Sequence, residues 1–137
     1  MNHSFEKYSK YFFWIAGILT FSGPLLILIM PVEGFKIITG LTYFDKSPQL
    51  FPVIGHWGMM VAGIGVLLFL SGNNKVIRKP IVIYSTIEKS YMVLIAAYCA
   101  ISKQTFAANY YLPMAADSLM VIGGLWYLIR SNQLKQH

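Results

Sequence analysis

Four long apolar stretches dominate the pattern of hydrophobic and polar positions along the chain. They cover residues 11–30, 51–70, 80–101 and 110–129. A helix that crosses the hydrocarbon core of a bilayer needs about 20 mostly apolar residues, and backbone groups in lipid must pair within their own segment. The pattern therefore predicts an all-α fold, a bundle of four transmembrane helices forming a single integral membrane domain over residues 1–137.

The links between these stretches are mostly short. Residues 72–74 predict a tight turn, and residues 102–109 predict another brief loop. The longest link, 31–50, carries several apolar side chains, so it is expected either to lie on the membrane surface or to fold over the mouth of the bundle. Pro24 predicts a kink in the first helix, whereas Pro80 is expected to begin the third.

Composition agrees with a membrane protein. The chain is 56% hydrophobic and only 12% charged, whereas soluble domains carry about 25% charged residues. This leaves too little polar surface to cover a water-soluble globule. The composition therefore excludes a disordered chain, a disulfide scaffold and a conventional soluble enzyme. We therefore expect a multi-pass protein of the inner or plasma membrane, with the lipid bilayer as its main partner.

The basic residues outside the stretches sort to one side of the predicted bundle. Seven lie on the side of the two termini: Lys7, Lys10, Lys75, Arg78, Lys79, Arg130 and Lys135. The other side carries Lys36, Lys46 and Lys103. Because cytoplasmic loops are enriched in Lys and Arg, both termini are predicted to be cytoplasmic. The net charge of +6 then reflects topology and contact with anionic lipid, and no nucleic acid partner is expected.

Four ionisable residues fall inside the apolar stretches: His56, Glu88, Lys89 and Asp117. A charge at the centre of a bilayer is costly, so such residues usually face the bundle interior and mark functional sites. At 1.5 Å of rise per residue, Lys89 and Asp117 are expected to differ in depth by about 6 Å. His56 and Asp117 are expected at nearly the same depth, so one polar cluster can form if the helix order permits it.

The helical faces add two aromatic candidates. Tyr84 and Tyr91 lie four residues before and three residues after Glu88, on the same face of the third helix. Asp117 shares its face with Gly124, which fits close packing against a neighbouring helix. The candidate ligand-binding cluster is therefore His56, Glu88, Lys89, Asp117, Tyr84 and Tyr91.

Each charged candidate also has a purely structural interpretation. For His56, a hydrogen bond that holds helices together is preferred over a functional role. For Lys89 and Asp117, an ion pair that fixes helix register is as well supported as a ligand or proton site. For Glu88, the functional interpretation is slightly preferred, because this residue lies deep in the membrane and a nearby Lys would keep its carboxyl group ionised.

The second stretch has two contrasting faces. Small residues form a ridge that would let another helix approach closely: Gly55, Gly58, Ala62 and Gly65. His56 points roughly the other way, with Met59 and Met60, and this face is expected to line a cavity.

Standard chemical motifs are missing from the sequence. There is no phosphate-binding Walker loop, HExxH, GxSxG or CxxC pattern. The single Cys99 cannot form an internal disulfide, and no metal or cofactor site is predicted.

Three segments together resemble a known family. Gly55-His56-Trp57-Gly58, then Arg78-Lys79-Pro80, then Glu88-Lys89 within a third span resemble the small bacterial membrane proteins of the DoxX-like group. This resemblance implies four helices and, from some members, an accessory role in quinone or thiol redox chemistry. The lone Cys99 weakens the thiol version. By layout, the chain is also similar to four-helix sterol-isomerase-like domains, which bind hydrophobic ligands.

Three functional hypotheses follow. The preferred one is a non-enzymatic or accessory protein that binds a hydrophobic or quinone-like molecule in an intramembrane cavity. The second is a small transporter or proton-coupled subunit, either a homo-oligomer or joined to another membrane subunit, in which the small-residue ridge forms the subunit contact. The third is a membrane enzyme that uses Glu88 and Asp117 as acid and base on a lipid.

Overall fold

The computed structural model describes residues 3–39, 50–102 and 111–134, and every regular element within them is helical. There are five helices in these ranges: α1 (His3–Ile29), α2 (Pro31–Thr39), α3 (Leu50–Ser71), α4 (Lys75–Ile101) and α5 (Tyr111–Gln133). The all-α prediction is confirmed for this part of the chain. The predicted loop at 102–109 lies almost wholly outside it.

Within the described part of the chain, three helices are long and apolar enough to cross a membrane, by length and composition. They are α1, the Pro52–Ser71 part of α3, and α4. Helix α5 has 23 residues but contains Asp117 and carries Arg130 in its last turn, and it does not belong to this set. The prediction of apolar membrane helices is therefore confirmed, while a fourth crossing by α5 stays a prediction.

The helices extend beyond the apolar stretches that predicted them. Helix α1 already begins at His3 and continues through Pro24. Helix α4 begins at Lys75, so Pro80 lies inside it rather than at its start. The cause of this early start is Asn74, whose side-chain oxygen accepts a 3.1 Å hydrogen bond from the Val76 backbone N–H and thereby satisfies one of the unpaired donors of a first turn.

The four long helices pack in a ring. Helix α1 packs against α3, α4 packs against α5, and contacts of α3 with α4 and of α1 with α5 close the ring. One buried hydrophobic core joins all four helices and contains Phe13, Ala16, Leu68, Val82, Met120 and Tyr127.

Glycines determine how closely α1 and α3 approach. A Cβ atom on Gly17 would lie 2.5 Å from the Phe69 backbone nitrogen, and one on Gly65 would lie 2.6 Å from that of Phe21. The two helices therefore touch backbone to backbone at two levels, as small residues permit. Gly65 of the predicted small-residue ridge on α3 is thus used inside the chain, so the hypothesis of a subunit contact is wrong for this residue, whereas a Cβ on Gly55 would meet nothing within 4 Å.

Helix α2 folds back onto α1. The Gly34 Cα approaches the Leu26 carbonyl so closely that a Cβ would collide with it. Ile37 and Ile38 of α2 reach the space between α1 and α5. Of the two arrangements expected for the link 31–50, residues 31–39 adopt the one in which the link folds over the bundle. Residues 40–49 lie outside the described residues.

Candidate functional site

Lys89 lies at the centre of a cluster of three charged side chains. Its Nζ is 3.0 Å from Asp117 Oδ1 on α5 and 3.4 Å from Glu88 Oε2 on its own helix. The side chain of Lys89 is 8% exposed, that of Asp117 is 11% exposed and that of Glu88 is 25% exposed. Glu88 is therefore the member of the cluster that a ligand can reach most easily.

Close packing of α4 against α5 makes this pairing geometrically possible. Gly124 lies directly against Thr86, and a Cβ there would also approach Val82 at 3.4 Å. Since Gly124 lies seven residues after Asp117, it lies on the same face of α5 and brings that face against α4. The close packing predicted for Gly124 is confirmed.

A cavity of about 260 Å³ lies beside the charged cluster. All five helices contribute to its wall, which is mostly apolar. The apolar members include Leu19, Pro24, Ile38, Val61, Met92 and Met120. Among the apolar residues that line it, Leu19 is 51% exposed and Ile37 is 64% exposed, so part of its wall reaches the apolar surface of α1 and α2.

Polar groups are concentrated on one wall of this cavity. Glu88, Lys89 and Asp117 all line it. Two hydroxyl groups of α1 also line it but are already engaged: Thr20 Oγ1 donates to Met120 Sδ at 3.5 Å, and Ser22 Oγ donates to the Leu19 carbonyl at 3.2 Å. The charged trio is therefore the main polar feature that the cavity offers to a ligand.

The remaining candidates lie away from this wall. His56 is exposed, and so are Met59 and Met60 beside it. None of them lines this cavity, although Met60 borders a smaller recess of about 70 Å³ that Glu88 also lines. The main cavity therefore does not bring His56 together with the charged cluster, and a ligand-binding role of His56 stays a prediction.

The two tyrosines are also peripheral. Tyr84 is 46% exposed and borders a smaller recess of about 70 Å³ together with Trp57 and Glu88. Tyr91 is 64% exposed on the outside of α4 and does not line the main cavity. Among the described residues, no group of three or more His, Cys, Asp and Glu side chains is placed to hold a metal ion.

A second polar centre, at the other end of the bundle, was missed by sequence reasoning. Arg78 is 3% exposed. Its Nε donates to the Ser71 carbonyl at 2.7 Å, its Nη2 donates to the Gly72 carbonyl at 2.8 Å, and its Nη1 pairs with Glu6 Oε1 at 2.9 Å. The sequence does contain one signal for this contact. Glu6 is the one acidic residue in the basic N-terminal segment, and it could have been recognised as a partner for a basic residue.

Comparison of this chain with protein-family models, curated proteins and solved structures finds no match. The resemblance to DoxX-like proteins therefore stays a prediction.

Proposed function

We propose that this protein binds a hydrophobic small molecule with a polar, quinone-like head in the cavity beside Lys89. The observation that carries the proposal is the contrast within the cavity wall. Three charged side chains occupy one side of a space that is otherwise mostly apolar, and ligand sites typically combine an apolar lining with a few convergent polar groups.

The charges of the cluster suggest what the head of the ligand would offer. Two carboxylates, Glu88 and Asp117, lie against one ammonium, Lys89, so the fully ionised cluster carries one excess negative charge. An unbalanced charge in apolar surroundings is costly. A ligand hydroxyl that donates to Glu88 would reduce this cost, and a ligand carbonyl could accept a hydrogen bond from Lys89. A quinone and its quinol carry these two groups.

The size of the cavity fits a ring better than a whole lipid. Its volume of about 260 Å³ lies just below the range of about 300–1,000 Å³ typical of small-molecule sites. The head would occupy the cavity, and an apolar tail would leave between Leu19 and Ile37 into the surrounding hydrocarbon.

The same geometry favours binding over transport. The cavity beside Lys89 and a second cavity at the Arg78 end are separated by the buried core, because Met120 borders the first, Tyr127 borders the second, and both belong to that core. In the described part of the chain, the route from one cavity to the other is therefore filled by packed side chains.

Binding is also favoured over lipid chemistry. An acid and a base need environments that hold their protonation states apart. Here Glu88 and Asp117 both pair with the same ammonium group. This arrangement suits the recognition of a polar head better than a division of proton-transfer roles.

We further propose that α5 also crosses the bilayer, with both chain termini in the cytoplasm of a bacterial-type inner membrane or a plasma membrane. The support is the distribution of charge in the described residues. Six basic residues lie near one end of the bundle, Lys7, Lys10, Lys75, Arg78, Lys79 and Arg130, and only Lys36 lies near the other. This asymmetry is the usual sign of a cytoplasmic side. We also propose that the protein acts as an accessory subunit of a membrane redox enzyme, which is the role that the resemblance to DoxX-like proteins implies.

The binding proposal is tested with purified full-length protein in mild detergent, by native mass spectrometry with an added short-tailed benzoquinone as the probe. Ala116 lines the cavity, whereas its neighbour Ala115 is exposed and does not. Ala116→Phe should fill the cavity and weaken binding at least about tenfold, which corresponds to about 1.4 kcal/mol. Ala115→Phe is the matched control and should bind as the wild type does.

Charge is tested separately with Glu88→Gln, and Glu33→Gln on the exposed face of α2 serves as its control. Glu88→Gln should weaken the quinol more than the quinone, because it removes the proposed acceptor of the ligand hydroxyl. Equal binding by the Ala115 and Ala116 variants, or no quinone bound by the wild type, would overturn the proposal.

A further inference from the structure

A second cavity of about 290 Å³ lies at the opposite end of the bundle, where the start of α1, the start of α4 and the end of α5 meet. Its polar lining consists of Glu6, Lys75, Arg78, Lys79, Tyr127 and Ser131. This cavity plays no part in the proposed quinone site, and the inference drawn from it rests only on the proposed cytoplasmic position of this end of the bundle.

The cavity has an excess of positive charge. Three cations line it against one carboxylate, and both Arg78 and Lys75 share a single oxygen of that carboxylate, Glu6 Oε1, at 2.9 and 3.4 Å. Arg78 is 3% exposed, and three of its five N–H donors serve this contact and two backbone carbonyls. The exposed Lys75 and Lys79 are therefore the cations that a further anion can reach most easily.

The backbone adds to this positive potential. Lys75 is the first residue of α4, and Lys79 follows one turn later. The first turn of a helix carries a partial positive charge, so three cations there repel both the helix terminus and one another. An anion placed between Lys75 and Lys79 would relieve both effects, as helix starts do when they bind phosphate.

Hydroxyl and apolar groups complete the lining. Tyr127 and Ser131 line the cavity from α5, although Ser131 Oγ already donates to the Leu128 carbonyl at 3.1 Å, and Phe5 and Leu134 supply apolar wall. The Phe5 ring stacks on Tyr127 with centroids 5.8 Å apart, so this wall is fixed. A free phosphate has no apolar atoms that could pack against this wall, whereas the glycerol and first carbons of a phospholipid would pack against it.

We infer that this cavity binds a phosphate ester, held by Lys75 and Lys79, and that its natural source is the head group of an anionic phospholipid. Basic pockets between membrane helices on the cytoplasmic side are known to take such head groups. Lys79 donates one hydrogen bond to Asn132 at 3.3 Å, which orients its ammonium group while leaving two further N–H donors for a phosphate oxygen.

The test is native mass spectrometry of the purified full-length chain in mild detergent, titrated with phosphatidylglycerol. The Lys75→Gln/Lys79→Gln variant should lose about 25-fold in apparent affinity, at about fivefold for each basic residue. Lys7→Gln/Arg130→Gln is the matched control, because it removes two exposed cations from the same end of the bundle without touching the cavity lining. It should change the affinity less than about twofold.

Three further titrations identify the source of the phosphate. Weak binding of phosphatidylcholine, with no binding of inorganic or glycerol phosphate, supports an anionic lipid. Tight binding of a soluble phosphate that the Lys75/Lys79 variant loses supports the same site with a soluble ligand. Equal losses in the two double variants, or equal binding of both lipids by the wild type, would overturn the inference, because the attraction would then be diffuse.

Discussion

Lys89 Nζ lies 3.0 Å from Asp117 Oδ1, so one ion pair joins helices α4 and α5 at a position where both side chains are almost fully buried. Removal of one partner of a buried pair leaves an uncompensated charge, which typically costs about 3–5 kcal/mol. The same ion pair therefore stabilises the bundle and forms part of the polar wall of the cavity.

We predict that Asp117→Asn lowers the free energy of unfolding by about 3 kcal/mol, because Lys89 then retains only the longer contact to Glu88. Thermal unfolding in detergent, followed by circular dichroism, measures the loss. The triple variant Glu88→Gln/Lys89→Met/Asp117→Leu should recover most of it, since it leaves no unpaired charge in the cluster. A triple variant no more stable than Asp117→Asn would show that the pair is not the cause.

Glu88→Gln should behave differently from Asp117→Asn. Glu88 is 25% exposed, and its contact to Lys89 is 3.4 Å, so its loss should cost less than about 1 kcal/mol. The same unfolding assay gives the comparison. Similar losses for the Glu88 and Asp117 variants would contradict the ranking of the two contacts.

Arg78 should be the most sensitive basic residue at its end of the bundle. Arg78→Met leaves the Ser71 and Gly72 carbonyls without their donor and leaves Glu6 with only the exposed Lys75 at 3.4 Å. We therefore expect a loss of about 3 kcal/mol. Arg78→Lys should recover only part of this, because an ammonium group cannot reproduce the divergent guanidinium contacts. The reference is Lys79→Gln at an exposed position, for which unfolding should shift by less than about 0.5 kcal/mol.

Two glycines of α3, two residues apart, should respond in opposite directions. A Cβ on Gly65 would meet the Phe21 backbone at 2.6 Å, whereas one on Gly63 would meet nothing within 4 Å. Gly65→Ala should therefore destabilise the protein by about 1–3 kcal/mol, and Gly63→Ala should stabilise it by about 0.5 kcal/mol through its helix propensity. Equal effects in the unfolding assay would disprove the close packing of α1 on α3.

The number of crossings is tested by the position of the two ends of the chain. If α5 crosses the bilayer, epitope tags at both ends become accessible on the same, cytoplasmic side of oriented membrane vesicles. With only α1, α3 and α4 crossing, the tags appear on opposite sides. Protease digestion of sealed and inverted vesicles distinguishes the two arrangements.

Sequence reasoning works best here where the position of a residue along its own helix suffices for the argument, without the order of the helices. Rise per residue placed Lys89 and Asp117 within side-chain reach, and the face shared with Gly124 predicted close packing. His56 needed information of another kind, because its environment depends on which helices neighbour α3, and a single sequence does not specify their order.

The basic end shows a second reason why part of the structure was not predicted. Arg78 was counted as a loop charge, because the apolar stretch begins only at residue 80. The Asn74 cap starts α4 five residues earlier, which turns the guanidinium toward Glu6 on α1. A hydropathy pattern does not show helical turns made of polar residues beyond an apolar stretch. The contact between α4 and α1 through Arg78 and Glu6 was therefore not predicted.

The exposed apolar wall at Leu19 and Ile37 determines the phase from which the cavity is filled. A molecule that enters past these residues travels within the hydrocarbon, where partitioning concentrates it far above its level in water. Occupancy then follows the mole fraction of the compound in the membrane rather than its aqueous concentration. A compound that partitions strongly into the membrane would therefore keep such a cavity filled even when its aqueous concentration is low.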